Sequence, residues 1–114
     1  MIRNLTKSKV LAEESRNCSS ALSQVIGLMF SKKRKDFGLV LIFKKDKIIS
    51  LHMFFVFYPI DVLFLDSEKR VVEMKENFKP FTAYTSKKRV KYVVELPSKT
   101  ISETNTSLND IISF

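Results

Sequence analysis

Apolar residues in this chain come in short runs of strand length, divided by polar clusters more often than by glycine or proline. Residues 38–43 (GLVLIF), 48–57 and 60–65 are near-continuous apolar stretches bounded by Lys and Asp residues and by Tyr58-Pro59, the pattern of strands buried on both faces. Residues 70–76 (RVVEMKE) and 91–96 alternate instead. Val72 and Met74 share one face, while Tyr92, Val94 and Leu96 are expected inward and Lys91 and Glu95 outward. Asp66-Ser67-Glu68-Lys69 predicts a hairpin loop, residues 77–89 a long loop centred on Pro80, and residues 111–114 a closing strand after a polar stretch. One segment has helical spacing. In residues 19–31, Leu22, Val25, Ile26 and Met29 recur behind Ser19 and Ser20 as caps, and Gly27 weakens the second half.

These elements predict a mainly β fold: a single compact antiparallel β-barrel or sandwich of five to seven short strands with one short N-terminal helix. Strands apolar on both faces need cover on both sides, and the helix and the long loop are the expected covers. Residues 1–17 are set apart as an N-terminal segment, an added strand or arm, with residues 18–114 as the β-domain. A chain of 114 residues, 45% hydrophobic and 28% charged, is that of one folded core and excludes disorder.

Charge changes the picture. Twenty Lys and Arg against twelve Asp and Glu give a net charge of +8, a field that attracts nucleic acid or an acidic membrane surface. The cations cluster at residues 32–35, 44–47 and 87–91. Each cluster lies beside an apolar run, where a solvated rim explains the placement as well as a phosphate track does. The first 17 residues carry charges and no long apolar region, so no secretory signal is expected. Residues 48–65 approach the length of a membrane span, but His52, Asp61 and Tyr58-Pro59 interrupt them. Two strands joined at the proline fit better, and a soluble, cytoplasmic protein is the expectation.

The order of several motifs carries a resemblance. GLMF at 27–30, GLVLIF at 38–43, SLHMFFVFYPIDVLFLD at 50–66, VVE at 71–73 and YVVELP at 92–97 together resemble the domain of unknown function 192 family, a small bacterial and archaeal β-domain, over residues 18–114. The resemblance implies a compact, mainly β fold and no established biochemical activity. The family positions matched are Gly27, Leu28, Met29, Gly38, Met53, Pro59, Asp61 and Glu95. Where the family has Trp-Met-Lys-Asn-Thr, this chain has His52-Met53-Phe54-Phe55-Val56, so the Lys-Asn pair is replaced by apolar groups. The family's closing Gly-Asp turn stands here as Asn109-Asp110. A composition rich in Lys, Ile and Phe and poor in Gly is compatible with a thermophilic archaeal source.

Candidate chemistry is sparse. Asp61 shares a strand face with Leu63 and Leu65, where a carboxylate is costly unless paired or hydrogen-bonded. It reads either as a pKa-raised acid or ligand anchor, or as an acceptor of backbone N–H groups at the Pro59 turn. His52 is the sole histidine and Cys18 the sole cysteine, too few for a metal shell or a disulfide framework, so no metal or cofactor is expected. Cys18 ahead of a helix start is a conceivable thiolate, with a buried small hydrophobe as the default. No glycine-rich phosphate loop and no Gly-x-Ser-x-Gly motif occurs. The expected function is therefore a non-enzymatic ligand-binding or protein-interaction module using the surface around His52, Met53, Asp61 and Glu95. The alternatives are nucleic-acid binding through the basic loops, or a hydrolase or carbohydrate-active domain using Asp61 and Glu95, two carboxylates that would have to face each other.

Overall fold

The computed structural model describes residues 1–18, 37–52 and 58–114. In chain order the strands are β1 (Ile2–Asn4), β2 (Lys9–Ala12), β3 (Glu14–Cys18), β4 (Phe37–Lys47) and β5 (Ser50–His52). There follow β6 (Ile60–Leu65), β7 (Val71–Phe78), β8 (Ala83–Thr85), β9 (Val90–Pro97), a short helix α1 (Thr100–Thr104) and β10 (Ile112–Ser113).

A five-stranded sheet in the order β3-β4-β9-β6-β7 forms the central layer. The apolar run of β6 explains its position: all six residues are buried, because β9 and β7 flank it and both faces are covered. Ile60, Val62 and Phe64 join Leu39, Leu41, Val93 and Cys18 in one core. Leu63 and Leu65 join Val40, Val94 and Leu96 in a second core on the opposite face. The two-stranded β5–β8 sheet covers the first core through Leu51 and Tyr84. The three-stranded β10-β1-β2 sheet covers the second through Ile2, Leu11 and Ile112, with Ile101 of α1. Gly38 lies against that cover. A Cβ there would stand 2.5 Å from Ile2 Cδ1 and 3.1 Å from Ala12 Cβ.

The fold is mainly β, as the patterning predicts, with several corrections. Ten strands stand among the described residues, not five to seven, because three-residue strands such as β5 and β8 carry no periodic signal. The pairing is not wholly antiparallel: β3 runs parallel to β4, Glu14 opposite Phe37 through Cys18 opposite Leu41. Among the described strands the central sheet ends at β3 and β7 and does not close into a barrel. The stretch expected as a loop over residues 77–89 contains the end of β7 and all of β8, and the polar stretch after Pro97 contains α1. The helix expected over residues 19–31 lies outside the described residues. The Asp66 turn forms as expected: Asp66 Oδ1 accepts the N–H groups of Glu68 (2.9 Å) and Arg70 (3.0 Å), and Lys69 takes a φ of 63°.

Candidate functional site

Asp61 is buried, 1% exposed, near the start of β6 on the face that carries Leu63 and Leu65 of the second core. Its carboxylate is satisfied by backbone. Oδ1 accepts the Asn77 N–H at 3.0 Å and Oδ2 the Ile101 N–H at 2.9 Å. The donors come from the end of β7 and from α1, not from the Pro59 turn. Asn77 has a φ of 50° and lies opposite an irregularity in the β6–β7 register between Ile60 and Val62. That irregularity turns one amide toward the acid.

Glu95 is the other buried acid, 6% exposed. The alternation that places Tyr92, Val94 and Leu96 inward leads to Glu95 being expected outward, and the structure corrects this. β9 is a central strand, so both of its parities are covered. Its cross-strand partners are Leu39 of β4 and Val62 of β6, both members of the first core. Oε2 has no hydrogen-bond partner among the described residues. Burial in this apolar wall pushes the Glu95 carboxyl up to about 8.

Two further acids feel its charge. The Cys18 thiol is raised, chiefly by burial, with Arg16 opposing and Glu95 adding to the shift. The Tyr58 phenol is raised by burial and by Glu95. A buried thiol with a raised pKa is a small hydrophobe at neutral pH and not an activated thiolate. Cys18, Tyr58 and Glu95 thus form a group of weak acids along the first core.

Register separates the two carboxylates that sequence reasoning placed in one site. Asp61 lies opposite Leu96, and Glu95 lies opposite Val62. Since directly paired residues share a face, Asp61 and Glu95 point to opposite sides of the sheet. They do not form the facing pair that the hydrolase alternative requires. His52 ends β5 opposite Ala83. Met53, Gly27, Leu28 and Met29 lie outside the described residues. Pro59 is half-buried and leads directly into β6. Among the described residues no group of three or more His, Cys, Asp or Glu side chains could hold a metal ion.

One polar cluster escaped sequence reasoning. Asn4, fully buried in β1, donates through Nδ2 to Asp110 Oδ2 at 2.8 Å and to Thr106 Oγ1 at 3.1 Å. Lys7 Nζ closes an ion pair with Asp110 at 2.9 Å, and the Ser107 N–H donates to the same carboxylate at 2.9 Å. Burial alone would raise the Asp110 carboxyl. The bonds from Asn4, Lys7 and Ser107 outweigh it and hold the group below its ordinary value. The preceding Asn109 adopts a φ of 75°, the left-handed turn conformation open to Asn. The network ties the two ends of the described chain together and is structural.

No helix among the described residues is long and apolar enough to cross a membrane. The sequence profile of the domain of unknown function 192 family, described as an uncharacterized ACR, matches residues 4–114. A UPF0127 protein of Pyrococcus horikoshii is 39% identical over 85% of this chain and 84% of its own length. A UPF0127 protein of Thermococcus sibiricus is 33% identical over all of this chain and 74% of its own length. A crystal structure of a protein of unknown function from Novosphingobium aromaticivorans superposes with a TM-score of 0.87 at 17% identity, covering 99% of this chain and 82% of that one. At that identity the likeness is one of fold.

Proposed function

The chain belongs to the domain of unknown function 192 family, and from that premise we propose that it is a non-enzymatic binding module whose first-core face receives a hydrogen-bond-donating group at Glu95. One observation carries the reading: Glu95 is buried and its Oε2 is without a hydrogen-bond partner among the described residues. Leaving a buried polar atom unmade costs about 1–3 kcal/mol, and a donor arriving from a ligand or a partner segment removes that cost.

A primary ammonium is the best match. Near neutral pH Glu95 is largely protonated. An ammonium beside it stabilises the carboxylate, so that binding releases a proton and tightens as pH rises. The apolar neighbours Leu39 and Val62 and the aromatic Tyr58 favour a cation carried on an apolar body. Asp61, on the opposite face, ties β6 to the end of β7 and to α1 and does not contact the ligand. His52, the last residue of β5, and Met53, next to it in sequence, are proposed as part of the rim.

Benzylamine and its neutral counterpart benzamide serve as probes, titrated into the isotope-labelled protein and followed by amide chemical shifts. Benzylamine is expected to perturb the amides of Leu39, Val62 and Glu95, with affinity rising from pH 7 to pH 9, and E95Q is expected to abolish that pH dependence. Absence of perturbation by either probe, or perturbation unchanged in E95Q, overturns the proposal.

A further inference from the structure

The two basic clusters separated by some forty residues in sequence meet in space. The end of β4 lies beside the start of β9, with Lys47 opposite Val90. Arg89 reaches across this pair: its Nη2 donates to the Asp46 carbonyl at 3.0 Å, and its Nε lies 3.5 Å from the Asp46 carboxylate. Lys91 Nζ donates to the Lys44 carbonyl at 2.7 Å. Lys44, Lys45, Lys47, Lys87, Lys88, Arg89 and Lys91 therefore form one patch, exposed at every position but the half-buried Lys91.

Two acids touch it. Asp46 pairs with Arg89, and Glu73 accepts the backbone N–H groups of Lys87 (2.9 Å) and Lys88 (3.1 Å) through Oε1. Seven cations against these two leave most of the chain's net charge of +8 in one place. Among the described residues, none of the ion pairs engages Lys44, Lys45, Lys87 or Lys88.

We propose that this β4–β9 patch binds the phosphate backbone of nucleic acid, independently of base sequence. Residues 44–47 span roughly 10 Å at strand rise, and duplex DNA carries one phosphate charge per about 1.7 Å of axis, so the patch meets several phosphates at once. Lysine ammonium groups on flexible stems suit charge neutralisation and not the fixed bidentate reading of a base edge. An acidic membrane offers the same charge, but lasting attachment to it also needs an apolar face. Ile48, next to Lys47, is the one large exposed hydrophobic bordering these segments. The patch lies apart from Glu95 in chemistry and is tested apart from it.

Fluorescence anisotropy of a labelled DNA duplex is the test. Contact with about four phosphates predicts an affinity loss of about a hundredfold between 50 and 200 mM salt. The variant K44Q/K45Q/K87Q/K88Q is expected to bind at least tenfold more weakly than R3Q/K9Q/K79Q/K99Q, which removes the same charge elsewhere. The pairs K44Q/K45Q and K87Q/K88Q, checked by thermal melting, keep the comparison open should the quadruple variant unfold. Equal binding by patch and control variants, an affinity indifferent to salt, or binding to phosphatidylserine vesicles without binding to the duplex overturns the proposal.

Discussion

Asp61 of β6 accepts the backbone N–H of Ile101 at 2.9 Å, joining the central sheet to a helix forty residues away in sequence. The same carboxylate takes the Asn77 N–H at 3.0 Å. One side chain therefore fixes the end of β7 and the start of α1 against the second core. Replacing Asp61 with Ala strands both donors and is expected to cost about 2–5 kcal/mol. D61N, which keeps one acceptor oxygen, should fall between wild type and D61A. Urea midpoints at constant m-value measure both.

Glu95 makes stability depend on pH in an unusual direction. Its folded pKa, about 8, lies above the unfolded value near 4.5. Between those values the folded state holds a proton that the unfolded state has lost, so folding weakens as pH rises across that window and levels off above it. E95Q has no such proton. Thermal midpoints should show E95Q gaining on wild type from pH 5 to pH 8, with little difference below pH 4.

The Asp110 network runs the other way. Its carboxyl is held below its ordinary value in the fold, so its contribution is present above the unfolded pKa and disappears as pH falls through the folded one. D110N should be less stable than wild type at pH 7, by about 1–3 kcal/mol, and the gap should close on acidification. Paired acid titrations followed by circular dichroism check this.

Gly38 is required by space and not by backbone conformation. A methyl group would press on Ile2 Cδ1 and Ala12 Cβ. G38A is expected to cost about 1–3 kcal/mol through overpacking, and G38V more. Chemical denaturation reads the loss, and I2V combined with G38A should recover part of it by retracting the nearest methyl.

How much of this was legible depends on which physical signal each residue carries. The six apolar positions of β6 and the hairpin at Asp66 are plain in sequence, because a buried run between polar clusters has few other uses. Asp61 was readable as a satisfied buried carboxylate from its place beside Leu63 and Leu65, although its donors were not. Alternation points Glu95 outward, but it marks one face as core only when the other meets solvent, and β9 is buried on both faces over residues 93–96. The helix Thr100–Thr104 buries a single residue, Ile101, and so leaves no period to detect. The Asn4–Asp110 contact spans 106 positions, and nothing local in either residue announces the other.

β1 and β10, near the two ends of the chain, lie edge to edge, with Arg3 opposite Ser113 and Asn4 opposite Ile112. During vectorial synthesis β1 must therefore wait for β10 before its sheet is complete. Until then Ile2 and Leu11 have only a partial cover to pack under. A nascent chain that has not yet reached β10 leaves this layer loose, whatever the state of the central sheet.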